Sequence, residues 1–158
     1  MSRRGLMRRA AWIILAASLF VLSFVGTSDA RPQVSAAAIV RAAERGNPQA
    51  QTQLGYMHEN GIAVPQDYRL AAMWYRRAAE QGDPRAQHLL GIMLNKGFGV
   101  HTNFIESYKW LNLAAAHVRT ADREHYVRMR DAVASKLHLR EIAEGQRRAS
   151  FWRPEFER

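Results

Sequence analysis

The sequence contains no cysteine. That removes disulfides, thiolate nucleophiles and cysteine-ligated zinc, and leaves any fold to be held by packing alone. A chain of 158 residues, 47% of them hydrophobic, has enough apolar material for one packed domain and hardly for two. Other chemical signatures are missing as well. His58-Glu59 has no second histidine at the spacing of a zinc-binding helix. His117 and His125 fall on either side of an expected helix break, His88 is expected on a polar helix face and His101 in a loop, so the histidines supply no metal-ligand set. Gly97-Phe98-Gly99 belongs to a turn, not to a phosphate-binding loop. Ser107, Ser135 and Ser150 have no base at a triad spacing. Asp122, Glu124 and Asp131 alternate with Arg123, Arg128 and Arg130 in the pattern of a solvated helix, not of an acid–base pair. No catalytic, cofactor-binding or metal-binding residue is assigned, and an enzyme is not expected.

Charge is unevenly spread. Lys and Arg number 23 against 14 Asp and Glu, a formal net charge of +9. Residues 1–30 hold +3 of it and residues 31–158 hold +6. The middle of the chain, 46–117, carries only +1, and 118–158 carries +3 with acids interleaved. A single-sign stripe is absent, so nucleic acid is not an expected partner.

The first thirty residues have a separate logic. Met1–Ala10 is arginine-rich, Ala11–Gly26 is an uncharged apolar run, and Ser28 and Ala30 stand at the small-residue positions before a cleavage point. Basic, apolar and small segments in that order make a secretory signal peptide, with cleavage expected after Ala30. Arg3-Arg4 also resembles a twin-arginine export signal. The apolar run is 16 residues, shorter than the ~20 a membrane span prefers. An uncleaved inner-membrane anchor is the alternative, and it is the only membrane contact expected. Either way the remainder is expected in the periplasm or outside the cell.

Comparison of the chain with itself is the most informative step. Residues 46–81 and 82–117 align without a gap, and twelve of 36 positions are identical. The shared residues describe a pair of helices. Asn47 and Asp83 precede Pro48 and Pro84, a capping residue followed by a proline in the first helical position. Ala50, Leu54 and Met57, with Ala86, Leu90 and Met93, recur at spacings of four and three and form an apolar stripe. Gly61 and Gly97 end that helix. Val64 or Val100 plugs the loop into the core, Asp67 or Asn103 caps the second helix, and Trp74/Ala78 or Trp110/Ala114 face inward. Gly55 and Gly91 are costly inside a helix, by ~1 kcal/mol relative to Ala, so their recurrence implies a close helix–helix approach.

This pattern resembles the Sel1-like repeat, a relative of the tetratricopeptide repeat. The resemblance implies an all-α protein, a short right-handed α-solenoid of antiparallel helix pairs. Two departures stand out: Ala63 occupies a position that is usually glycine, and Leu111 replaces the aromatic residue Tyr75 supplies in the first copy. The expected organisation is a signal peptide at 1–30, an N-terminal capping helix at 31–45, repeats at 46–81 and 82–117, and capping helices at 118–158. In the last segment one helix is expected over Thr120–Leu137, with Tyr126, Met129, Val133 and Leu137 in a stripe. Another is expected over Arg140–Trp152, with Ile142, Ala143, Gln146, Ala149 and Trp152 in line and Pro154 closing it. Tails of this kind are similar to those of small exported bacterial family members.

The resemblance implies a protein- or peptide-binding adaptor or regulator of the cell envelope, expected as a monomer. After the core stripe is assigned, each first helix retains a face. It carries Gln49, Thr52, Gln53, Tyr56 and Asn60 in the first copy, and Arg85, His88, Leu89, Ile92 and Lys96 in the second. In tetratricopeptide-like solenoids that face lines the concave side. Leu89 and Ile92 have an alternative role, packing beneath the helix that follows Thr120. Two other functions stay open: an envelope-modifying enzyme related to β-lactam-binding family members, which are typically rich in the cysteine this chain lacks, and a membrane-tethered structural protein.

Overall fold

The computed structural model describes residues 35–119 and 121–155, so the expected signal segment lies outside the described residues. Among the described residues there are seven α-helices and no strand: α1 Ala36–Glu44, α2 Pro48–Asn60, α3 Tyr68–Glu80, α4 Pro84–Lys96, α5 Phe104–His117, α6 Arg123–Ala134 and α7 Leu139–Phe151. From α1 to α5 each helix packs on the next, a helical solenoid; α6 and α7 then both pack on α5. None of the described helices is long and apolar enough to cross a membrane.

The boundaries follow the capping chemistry in the sequence. The Asn47 and Asp83 side chains accept from the amides of Ala50 and Ala86, and Asp67 and Asn103 do the same for α3 and α5. Gly61 and Gly97 close α2 and α4 at φ +67° and +75°, a left-handed conformation natural to glycine. Val64 and Val100 pack against the cores of their repeats. Trp74 and Trp110 are buried.

The glycines inside α2 and α4 mark close helix contacts. A Cβ on Gly55 would stand 2.7 Å from the Tyr75 ring and 3.2 Å from the Ala71 carbonyl oxygen. On Gly91 it would stand 2.7 Å from Leu111 Cγ and 3.3 Å from the Ser107 carbonyl oxygen. Each repeat thus locks its two helices at the same point with different side chains. In the first, the Tyr75 hydroxyl donates to the Glu59 carboxylate at 2.6 Å; in the second, the Ser107 hydroxyl donates to the Gly91 carbonyl at 2.6 Å.

A repeated hydrogen bond joins neighbouring units. Gln51 is 4% exposed and its amide donates to the Ala43 carbonyl at the end of α1. Gln87, fully buried, donates in the same way to the Ala79 carbonyl at the end of α3. Buried polar groups must find partners, and the last carbonyls of a helix have none within it. At each junction the glutamine amide meets a helix-end carbonyl, which accounts for its identity at this repeat position; the Gln51 side-chain oxygen in turn accepts from Gln81 at 2.7 Å, whereas that of Gln87 is buried without a partner among the described residues.

The C-terminal segment differs from expectation in two respects. The helix expected over Thr120–Leu137 is shorter, because the amides of Lys136 and Leu137 turn back to the carbonyls three residues earlier and tighten the chain out of the α-helix. Its stripe is as expected: Tyr126 and Val133 are buried, and Met129 and Leu137 are partly buried against Tyr108 and Leu111. In α7, Ala143 and Gln146 face solvent, and the buried positions are Gly145 and Ala149, flanked by partly buried Ile142 and Trp152. The helix is rotated because Gly145 meets α5 directly: a Cβ there would lie 2.7 Å from the Tyr108 ring and 3.3 Å from the Ile105 carbonyl oxygen. Arg148 pins the same contact, donating to Glu106 on α5 at 2.5 Å and to Glu144 at 2.6 Å.

Candidate functional site

The face left over by the core stripes is formed by α2 and α4, and its ten candidate residues divide into two groups. On α2, Gln49, Gln53, Tyr56 and Asn60 are exposed, Tyr56 by 41%. On α4, Arg85 and Lys96 are exposed and Leu89 and Ile92 are half-buried. The two helices communicate across the face, for the Arg85 guanidinium lies over the Tyr56 ring at 6.0 Å from its centroid. An arginine held on an aromatic ring keeps its donors directed outward, in the arrangement that recognises carboxylates.

Thr52 and His88 do not belong to the exposed surface, contrary to expectation. Thr52 is 3% exposed; its hydroxyl donates to the Asp83 carboxylate at 2.5 Å, with the Pro48 carbonyl oxygen at 3.0 Å. It is a fastener between α2 and the N-terminus of α4. His88 is 5% exposed because Tyr126 of α6 stacks on it, ring planes 5° apart and centroids 4.0 Å apart, with His125 edge-on at 5.2 Å. Burial, and secondarily His125, push the His88 imidazole down to about 4, with Asp122 opposing. Its Nδ1 is buried without a partner among the described residues. The imidazole is therefore neutral at pH 7 and serves as a packing surface for Tyr126. Leu89 packs on the second-repeat core.

Nothing in the sequence marked Tyr126 as the cover of His88, because the contact joins two helices whose alignment no repeat relates. The Gln51 and Gln87 positions, by contrast, were visible as identities and lacked only a reason. Among the described residues no group of histidine or acidic side chains is arranged to hold a metal ion. Glu59 next to His58 is engaged by Tyr75, and His58 Nδ1 lies 3.3 Å from the Pro65 carbonyl oxygen.

The helix pairs, their caps and the glycine contacts agree with the comparisons to known proteins. The Sel1 repeat family matches twice, at residues 48–83 and 84–117. The chain carries two Sel1 repeats. Among solved structures, it is similar to the protective antigen c5321 of uropathogenic Escherichia coli, which displays an SLR fold, at 27% identity and TM-score 0.68, over 74% of this chain and 24% of that one. It is also similar to a Sel1 repeat protein from Oxalobacter formigenes, at 35% identity and TM-score 0.54, over 58% of this chain and 26% of that one. The chain spans about a quarter of the length of these relatives. No curated protein matches it. Sel1 repeats generally mediate protein–protein interaction.

Proposed function

We propose that this Sel1-repeat protein is an adaptor of the cell envelope that binds an extended protein segment across α2 and α4. The observation that carries the reading is the continuous exposed surface of Gln49, Gln53, Tyr56 and Asn60, joined to Arg85 by the ring contact at 6.0 Å. Tyr56 is its anchor: a ring buries much area at low entropic cost and keeps a hydroxyl for bonding. Arg85 and Lys96 favour an acidic partner. With Thr52 and His88 withdrawn into packing, recognition is weighted toward the first repeat. The reading of an envelope protein rests on the signal-like first thirty residues, and it expects an exported form that begins at Arg31. The sequence holds no cysteine, which removes thiolate catalysis from the alternatives.

The experiment is site-specific photo-crosslinking in cells of the source organism. A crosslinker at Gln53 is expected to trap a discrete partner, and one at Arg76, exposed on α3, to trap none. The double substitution Tyr56→Ala/Arg85→Ala should weaken the trapped species several-fold with helical circular dichroism unchanged. Equal trapping from both positions would refute the assigned face. An exported form that retains Trp12 would refute cleavage after Ala30.

A further inference from the structure

The α2–α3, α4–α5 and α6–α7 loops lie along one edge. The rings of Tyr68, at the start of α3, and Phe98, in the α4–α5 loop, stand 5.3 Å apart. Lys136, in the α6–α7 loop, donates to the Asn95 side-chain oxygen near the end of α4 at 2.8 Å. At each loop a large apolar side chain faces solvent: Ile62, Phe98 and Leu139, exposed by 48%, 40% and 85%. Ile62 and Phe98 are 36 residues apart and so occupy the same repeat position. Tyr68 and Leu70, in the first turn of α3, are exposed with them. Among the described residues seven large apolar side chains are exposed, and five of them belong to this edge. Exposed cations stand beside these groups. The Lys96 ammonium lies over the Phe98 ring at 5.4 Å, Lys136 over the Phe104 ring at 5.2 Å, and Arg140 follows Leu139. Among the described residues none of the three is in an ion pair. Arg69, between Tyr68 and Leu70, is set against Asp67. The acids near the edge are occupied within the fold: Asp67 accepts from the amides that open α3, Glu59 from the Tyr75 hydroxyl, Glu106 from Lys109 and Arg148, and Glu141 from the His138 amide.

We infer that this edge rests on an anionic phospholipid surface, with Ile62, Phe98 and Leu139 entering the boundary between headgroups and acyl chains and Lys96, Lys136 and Arg140 facing lipid phosphates. Single exposed apolar residues need no explanation, but a cluster drawn from three loops does. The groups stand at turns and helix starts, one per loop, so a flat partner meets all three together. Aromatic rings are at home at the lipid–water boundary, and a lysine lays its stem along an apolar neighbour while its ammonium stays among the headgroups. Cations outside any ion pair add attraction to an anionic surface, an attraction that salt weakens. A second copy of the same edge is disfavoured, because it would set these cations against their own kind. The contact was not expected from the sequence, which points to a bilayer only through the first thirty residues. It shares only Lys96 with the proposed α2–α4 surface.

The absence of cysteine allows a single labelled position in the full chain. An environment-sensitive fluorophore is placed on His101→Cys, exposed at this edge, or on Ala116→Cys, exposed at the far end of α5. The probes are vesicles of phosphatidylcholine with and without an equal part of phosphatidylglycerol. The readout is local insertion, not bound fraction, so the apolar run at 11–26 does not decide the outcome. At position 101 the emission is expected to rise about threefold and shift to the blue on the anionic vesicles, and to change little on the neutral ones or at position 116. Phe98→Ser/Leu139→Ser should abolish the response, and Ile62→Ser, in a separate loop, should reduce it by about half. Lys136→Gln/Arg140→Gln should erase the preference for anionic lipid. All these positions are exposed, and helical circular dichroism should match the parent. Equal responses at 101 and 116, equal responses on the two kinds of vesicle, or a response that survives the loss of Phe98 and Leu139 overturns the inference. A response that appears without vesicles and grows with protein concentration assigns the edge to a second copy and overturns it as well.

Discussion

Trp74 and Trp110 hold the same position in the two repeats, yet their surroundings differ. Trp74 is 9% exposed, packs toward the short capping helix α1, and has the Arg77 guanidinium over its ring at 4.7 Å. Trp110 is 2% exposed, with Lys109 at 4.2 Å on one side and the Trp152 ring edge-on at 6.0 Å on the other. The same contrast runs through the whole pair of repeats. The face of α2 is open, with Tyr56 at the surface, while the equivalent face of α4 is partly closed by Tyr126. The loop of the first repeat carries Ala63 at φ +59°, and the loop of the second carries Gly99 at φ +67°. One sequence template therefore yields two environments, and what distinguishes them is the neighbour on the C-terminal side. The first repeat keeps its α2 face exposed, and the second gives part of its own over to receiving α6 and α7.

The comparison is most severely tested at the tryptophans. Trp110→Ala should cost about 3–5 kcal/mol, the upper end of truncations of this kind, and Trp74→Ala less, near the lower end. Urea unfolding followed by circular dichroism measures both, and an equal loss at the two sites would contradict the asymmetry. Next come the loops. A Cβ at Gly99 would fall 2.2 Å from the Tyr68 carbonyl group in addition to demanding a left-handed conformation, so Gly99→Ala should destabilise by about 3 kcal/mol.

Acidification should weaken the second repeat by a comparable or smaller amount. His88 has an ordinary value of 6.5 and is pushed down to about 4 in the fold. The unfolded chain takes up a proton that the folded chain refuses. The contribution is therefore complete above pH 6.5, declines as the pH falls from there, and is exhausted below about 4, a span of up to about 3 kcal/mol. His88→Phe should flatten that part of the stability profile, measured as the urea midpoint against pH. The smallest effect is expected in the loop of the first repeat. Ala63→Gly relieves a left-handed backbone at an exposed site and should stabilise by about 0.5 kcal/mol, after the greater freedom of glycine in the unfolded chain is set against it. A melting temperature that falls would show that Ala63 is not strained.

How much of this was legible in the sequence depends on how local the determinant is. Helices α1 to α5, their caps and the inward tryptophans follow from residues within one repeat, and repetition itself supplied a second observation of each. The glycine contacts at 55 and 91 were readable for the same reason. Ala63 stood out as a departure, and its positive φ is what a position normally given to glycine would demand. The rotation of α7 was not readable, since it depends on Gly145 finding Tyr108 some 37 residues away, in a segment with no second copy for comparison. At the candidate face, Gln53, Tyr56 and Arg85 were placed correctly as exposed. Thr52 and His88 were misplaced, because helical periodicity reports which side of a helix a residue occupies but not what later packs against that side.

The glutamine bonds at Ala43 and Ala79 carry a consequence for how the molecule comes apart. Each links a unit only to the one before it, so coupling is between nearest neighbours, as in a one-dimensional chain of cooperative segments. Loss of α1 removes a single link and leaves the junction at Ala79 intact, whereas replacing Gln87 weakens the array in the middle, where the Thr52–Asp83 bond and the packing of α3 on α4 remain. Hydrogen exchange should then show fraying that begins at the amino-terminal unit in the parent protein. In Gln87→Leu, which keeps the bulk and deletes the bond, the exchange of the two repeats should become less coupled than in the parent.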